Sequence, residues 1–170
     1  KVDAVVTDPP YGIGAGTKKT GGSKSKDCGD TNWDVETQQD ALNLALALSP
    51  ACIVWGGNYY HLPQSRGWLV WDKCFNDNWY STAHHELAWT NQDRNGRLFR
   101  MHPVQGLCPP HTDAPKVHPT QKPLPLMKWC LDFLPNAETI LDPFMGSGTT
   151  GVAAVQMGRD FIGIEREPKY

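Results

Sequence analysis

The chain has 170 residues, 39% of them hydrophobic and 10% aromatic, which is the size of one domain with enough apolar material for a real core. No apolar run approaches the roughly 18 residues of a membrane span. The net charge of -2 lacks the overall basic excess of a strong nucleic-acid binder, so any such activity must rest on local charge.

The first predicted element is a short buried strand through Ala4, Val5, Val6 and Thr7, which must stop at Asp8 because Pro9 and Pro10 cannot donate to a sheet ladder. A carboxylate, two rigid proline carbonyls and the Tyr11 ring are thereby presented at a strand's C-terminal edge, where open α/β sheets place ligands. Residues 12–30 are rich in glycine and carry Lys18, Lys19, Lys24 and Lys26 ahead of the first acid, Asp27. This composition cannot bury a core and reads as a mobile loop, either a solvated linker or a basic flap over a polyanion.

A helix is expected from an N-cap at Asp34 through Leu42, Leu46 and Leu48 to a stop at Ser49-Pro50. Cys52-Ile53-Val54-Trp55 is a second strand closed by Gly56-Gly57, and a turn from Tyr59 to Leu62 leads to a third, Trp68-Leu69-Val70-Trp71. Glu86 to Thr90 alternates enough for an antiparallel or edge strand. Residues 91–117 are irregular, with Arg94, Arg97 and Arg100 and one strand near Leu98 to Met101. Pro123 suits the first turn of a helix whose apolar face is Leu126, Met127, Cys130, Leu131 and Leu134. A strand at Thr139-Ile140-Leu141 ends at Asp142. A small-residue helix from Gly151 to Met157 closes at Gly158, and a last strand at Phe161 to Ile164 ends at Glu165. Strands alternating with helices predict an α/β fold with a mostly parallel, doubly wound sheet and an antiparallel strand, in a single domain over residues 1–170.

Gly146-Ser147-Gly148-Thr149-Thr150-Gly151 matches G-x-G-x-x-G between a strand and a helix, with Glu165 nineteen residues beyond Gly146. That spacing is a dinucleotide fingerprint, with Glu165 on ribose hydroxyls. Asp142 argues against NAD, because a carboxylate before the loop would face the pyrophosphate with like charge; a sulfonium and ammonium fit better, as in S-adenosylmethionine. The five cysteines are scattered with no C-x-x-C pair, and His84, His85, His102 and His111 have no ligand spacing, so neither a disulfide framework nor a metal site is expected. The N-terminus enters a strand directly, and the cytoplasm of a prokaryote or phage host is the expected compartment.

Asp8-Pro9-Pro10-Tyr11, then His118-Pro119-Thr120-Gln121-Lys122-Pro123, then Phe144-Met145-Gly146-Ser147-Gly148, resembles the amino-group DNA methyltransferases that modify adenine N6 or cytosine N4. The order, catalytic tetrapeptide first and cofactor loop last, resembles their circularly permuted β class, and implies a Rossmann-like S-adenosylmethionine-dependent methyltransferase fold. The resemblance implies that Asp8 and the Pro9 carbonyl accept the target amine's hydrogens, with Pro10 shaping the corner and Tyr11 stacking on a flipped-out base. It implies a cofactor site of Asp8, His118, Thr120, Gln121, Lys122, Asp142, Phe144, Gly146, Ser147, Gly148, Thr149 and Glu165, with Thr120 and Lys122 at the methionine carboxylate. DNA is the implied partner, met by the four loop lysines and by Arg94, Arg97 and Arg100 from a short target-recognition region at residues 91–117. A homodimer and a paired restriction endonuclease are further partners the family admits. Asp at position 8 favours adenine over cytosine, whose N4 enzymes more often resemble S-P-P-Y. Against the family pattern both ends of this chain look trimmed. The competing readings are a cytosine-N4 enzyme on the same scaffold, a catalytically silent DNA-binding module and, more distantly, an NAD-dependent oxidoreductase.

Overall fold

A computed structural model describes residues 1–14, 34–74, 83–103 and 121–167. Lys18, Lys19, Lys24, Lys26, His118 and Thr120 therefore lie outside the described residues, as does most of the expected basic loop. The elements are β1 (Ala4–Thr7), α1 (Gln39–Leu46), β2 (Ala51–Trp55), a 3-10 turn (Gly57–Tyr59), β3 (Trp68–Asp72), β4 (His85–Thr90) and β5 (Arg97–Arg100). There follow α2 (Leu124–Asp132), β6 (Thr139–Asp142), α3 (Thr149–Gln156) and β7 (Asp160–Gly163).

The strands form one sheet in the order β5-β3-β4-β2-β1-β6-β7. β1 lies at its middle, parallel to β2 on one side (Val5 opposite Cys52) and to β6 on the other (Val5 opposite Leu141). β4 runs antiparallel to both β2 and β3, and β5 and β7 extend the two ends in parallel. The expected antiparallel strand is thus an interior one. Its last three residues, Ala88, Trp89 and Thr90, are buried, which the exposed polar face of an edge strand would not require.

Both faces of the sheet are covered, as four wholly buried residues in β1 demand. Period-two alternation sends Ala4 and Val6 to one side, where they pack with Leu126, Met127, Cys130 and Leu131 of α2 and Ala153 and Ala154 of α3. Val5 points to the other side, among Leu42, Val54 and Leu141. Leu42, Leu126 and Leu131 are fully enclosed, each contributing on the order of 1.5–3 kcal/mol by leaving water.

Several boundaries differ from those expected. Asp34 does not cap α1, which begins at Gln39 after a Gln38 N-cap without a side-chain bond. Asp34 is 1% exposed, and its Oδ1 accepts the Gly12 N–H at 2.8 Å, so its carboxylate is already committed to the segment leaving β1. Pro123 is the N-cap of α2, with extended backbone, and Pro125 occupies the first turn, where a missing N–H costs nothing. α3 starts at Thr149, two residues before the expected Gly151, because Gly148 in the left-handed region is itself the N-cap. Among the described residues no helix is long and apolar enough to cross a membrane.

Candidate functional site

The C-terminal ends of β1 and β6 meet side by side. Thr7 Oγ1 donates to Asp142 Oδ1 at 2.7 Å, a buried bond between residues 135 apart in sequence. Directly beyond Thr7, the two prolines turn the chain out of the sheet and the Asp8 carboxylate stands at its edge. Tyr11 donates its hydroxyl to Asp8 Oδ1 at 2.7 Å, and Lys122, from the entry to α2, places Nζ 2.5 Å from Asp8 Oδ2. Both carboxylate oxygens are anchored, and the side chain keeps 23% of its surface exposed.

Behind Asp8 lies a buried run of charge that sequence reading did not anticipate. Lys122 is also 3.0 Å from Glu86 Oε2 of β4, and Glu86 Oε1 is 2.6 Å from Lys73 Nζ, just past β3. Burial alone would raise the Glu86 carboxyl, but the Lys122 and Lys73 ammoniums overcome it and hold it at about 2. Burial alone would lower Lys122, yet Asp8 and then Glu86 hold it well above the ordinary lysine value. Tyr11 is raised well above its usual value, first by burial and then by the Asp8 and Glu86 charges, and stays a hydroxyl donor. No role is assigned to Glu86 or Lys73 from the sequence; the register of β3 and β4, with Trp71 opposite Glu86, makes them diagonal neighbours on one face.

Tyr11 is held by more than its hydroxyl. Its ring stacks on Tyr59, with centroids 4.9 Å apart at 15°. It also lies so close to Gly56 that a Cβ there would sit 2.0 Å from Cε1. A base could take the stacking position on Tyr11 only by displacing Tyr59, so the bare aromatic platform expected from the sequence is instead a pair of rings, with Tyr59 45% exposed. Tyr60 donates its hydroxyl to the Pro10 carbonyl. Among the described residues the Pro9 carbonyl accepts no hydrogen bond, although Pro9 itself is buried.

The glycine loop follows β6. Gly146 and Gly148 have φ of +50° and +73°, a region costly to residues with a Cβ, and a Cβ built on either meets nothing within 4 Å. The loop therefore has an open floor over which a ligand can approach the backbone. Gly151 differs: a Cβ there would lie 2.5 Å from the Phe161 ring, so this third glycine serves helix–strand packing. Glu165 Oε2 accepts the Gly146 N–H at 2.8 Å and Oε1 accepts the Glu167 N–H, so the carboxylate pins the loop from β7's end. Phe144 and Ser147 are partly exposed around this floor, while Thr149 is buried at the start of α3.

Asp142 is the main departure within the expected site. It is 2% exposed: Oδ1 accepts from Thr7 and from the Phe144 N–H at 3.1 Å, and Oδ2 accepts from Thr150 Oγ1 at 2.7 Å. Its carboxylate clamps β1, the loop and α3 together instead of facing a cationic ligand, and burial raises it to about 6 against the three hydrogen bonds. Lys122 likewise points to Asp8 and Glu86, away from the role of carboxylate ligand. Nor do the three arginines converge. Arg94 lies over the Phe133 ring, 4.3 Å from its centroid, and Arg100 is paired with Asp72 at 3.0 Å. Arg97 is exposed on β5, three residues from Arg100 and so on the opposite face. Gln121 lies beside Lys122 at the entry to α2.

An open sheet wound on both faces, with a carboxylate–proline–tyrosine corner on its central strand and a glycine loop on the next, is the Rossmann-like methyltransferase fold with its motifs in permuted order. The chain belongs to the N6/N4 methyltransferase family, whose family model, described as DNA methylase, matches residues 58–170. It is 49% identical over 59 residues to the Type II methyltransferase M.HinfI of Haemophilus influenzae, covering 34% of this chain and 16% of that protein. To M2.MboI of Moraxella bovis, also a Type II methyltransferase, it is 52% identical over 54 residues, 31% of this chain and 20% of that one. The chain thus spans a fifth or less of these curated relatives. Among solved structures it is similar to the M1.HpyAVI–SAM complex, with a TM-score of 0.56 and 23% identity over 100% of this chain and 84% of that one. It is also similar to the PvuII DNA methyltransferase (cytosine-N4-specific), with a TM-score of 0.59 and 14% identity, covering 100% and 77%.

Proposed function

We propose that this chain is the catalytic domain of an S-adenosylmethionine-dependent DNA methyltransferase that acts on the exocyclic N6 of adenine. The observation that carries the reading is the Thr7–Asp142 bond, because it sets Asp8 and the open glycine floor side by side at one sheet edge. The floor over Gly146 and Gly148, which any Cβ would begin to fill, fits a ligand lying close against the backbone. Phe144, Ser147, Gly146 and Gly148 would hold the methionine part of S-adenosylmethionine, and Glu165 is near enough in the chain to serve the ribose. When bound, that cofactor supplies a sulfonium-activated methyl group.

The protein's task is alignment. An adenine amine is a poor nucleophile because its lone pair is delocalised into the ring. Asp8 and the Pro9 carbonyl are two acceptors for its two hydrogens, and accepting both draws the nitrogen toward tetrahedral geometry and frees the lone pair. Holding nitrogen in line with the methyl supplies most of the remaining acceleration. A carboxylate cannot deprotonate the neutral amine, so Asp8 takes the proton only after transfer, when the nitrogen is cationic. Tyr11 and Tyr59 are the rings against which a flipped-out base would stack, with Tyr59 giving way if the base takes its place. Aspartate at position 8 supports adenine, and the family membership and the Type II relatives support DNA as substrate. A homodimer and a companion restriction endonuclease are the partners such enzymes would bring.

Calorimetry with S-adenosylmethionine and with NAD tests the cofactor. Binding of NAD alone refutes the reading. Mass spectrometry of nucleosides from DNA treated with the protein and labelled cofactor should show N6-methyladenine; N4-methylcytosine would move the substrate to the other base on the same scaffold.

A further inference from the structure

We propose that Lys122 and Glu86 are positioning residues for Asp8, forming with Lys73 a buried run of alternating charge that fixes the Asp8 carboxylate from behind, and that Lys122 is not a cofactor ligand. The geometry is specific. Lys122 Nζ hydrogen-bonds Asp8 Oδ2 at 2.5 Å and Tyr11 Oη at 3.4 Å, and forms an ion pair at 3.0 Å with Glu86 Oε2, a buried oxygen without an aligned hydrogen bond of its own. With its side chain 7% exposed and packed above the Tyr11 and Trp55 rings, at 5.7 and 5.8 Å from their centroids, the ammonium is enclosed by groups of this chain.

Glu86 touches neither Asp8 nor the glycine floor. Its two oxygens bind Lys73 and Lys122, so its effect on Asp8 passes through Lys122. Lys73 in turn is 8% exposed. The four charges come from four separate segments, the ends of β1 and β3, the interior strand β4 and the entry to α2, and they sum to zero. Such a chain tolerates burial only when complete, because deleting one member leaves a neighbour desolvated and unpaired. With Tyr11 fixing Oδ1 and Lys122 fixing Oδ2, the carboxylate plane cannot rotate, which suits a group whose work is to accept an amine hydrogen at a set angle. What Asp8 does rests on the methyltransferase reading; how it is held does not.

The test uses Lys122→Met, Glu86→Gln and the double variant, with three readouts: S-adenosylmethionine affinity by calorimetry, single-turnover methyl transfer at saturating cofactor, and the Lys122 Cε resonance at neutral pH by NMR of protein labelled with carbon-13 at lysine Cε. Each single variant should keep cofactor affinity within about threefold and slow transfer by at least about tenfold. Glu86→Gln should move the Lys122 Cε resonance at neutral pH, because the ammonium loses one of its two counter-charges. The double variant, which leaves the net charge unchanged, should be no slower than Lys122→Met, because both act through one path. Cofactor affinity lost tenfold in Lys122→Met with an unchanged saturated rate would make Lys122 a cofactor ligand and overturn the proposal, as would additive rate losses in the double variant. If the wild-type protein transfers no methyl at all, the methyltransferase reading fails by itself; an unmoved Lys122 Cε resonance in Glu86→Gln then refutes the positioning contact independently.

Discussion

Asp8 and Asp142 are both aspartates before a proline at the end of a parallel strand, and their surroundings give them opposite work. Asp8 keeps part of its surface exposed, whereas Asp142 is buried and spends both oxygens on Thr7, Phe144 and Thr150. Asp8→Ala should abolish methyl transfer while leaving S-adenosylmethionine affinity within a few-fold, read by calorimetry beside a labelled-methyl assay; near-normal turnover would refute its role. Asp142 predicts a pH effect on stability. Its carboxyl titrates at about 6 in the fold and at about 4 when unfolded, so the folded chain binds the extra proton between those values. The stability tied to this group is therefore full below about pH 4 and lost as pH rises through about 6, amounting to about 3 kcal/mol at neutral pH. Asp142→Asn keeps an acceptor for Thr7 and Phe144, and the Thr150 hydroxyl can turn to accept from the amide. Its urea midpoint should match or exceed wild type at pH 8 and lose the advantage near pH 4. Asp142→Ala should instead lose about 1–3 kcal/mol by orphaning buried donors. Parallel wild-type and Asn curves across that range would disprove the assignment.

At the level of elements, the glycine loop shows how one motif divides its labour. Gly148 begins α3 with φ of +73° and open space above it, while Gly151 lies inside the helix against Phe161. Gly148→Val should weaken S-adenosylmethionine binding at least about tenfold by strained backbone and a branched side chain over the floor, and thermal unfolding should drop only modestly. Unchanged cofactor affinity would move the binding site elsewhere. Element existence was largely legible in the sequence: among the described residues each strand and helix overlaps a predicted element, although β5 (Arg97–Arg100) lies in a stretch whose pattern reads as irregular. Helix starts were less so. Asp34 looked like a cap because local pattern cannot show that its carboxylate bonds Gly12, 22 residues back. The interior place of β4 was equally hidden, since strand order follows from packing among distant segments and not from alternation within one.

For the molecule as a whole, a net charge of -2 means that DNA affinity must come from a local basic patch. Arg94 and Arg100 are engaged within the fold, which leaves the exposed Arg97 and the loop lysines as the candidates. Charge reversal at Lys18, Lys19, Lys24 and Lys26 should weaken DNA binding and flatten its dependence on salt, measured by titration at several ionic strengths. An unaltered salt slope would return those residues to a linker. The sequence by itself determined the strand that ends at two prolines, the glycine loop and their permuted order, because prolines and glycines act locally on backbone conformation. It was enough to identify the family resemblance that the comparisons bear out. Only the tertiary structure decided that Asp142 turns inward and that Lys122 faces Asp8. It alone shows that Glu86 and Lys73 complete a buried run of charge. Those facts depend on which side chains share a desolvated space, and that is set by register and packing across residues far apart in the chain.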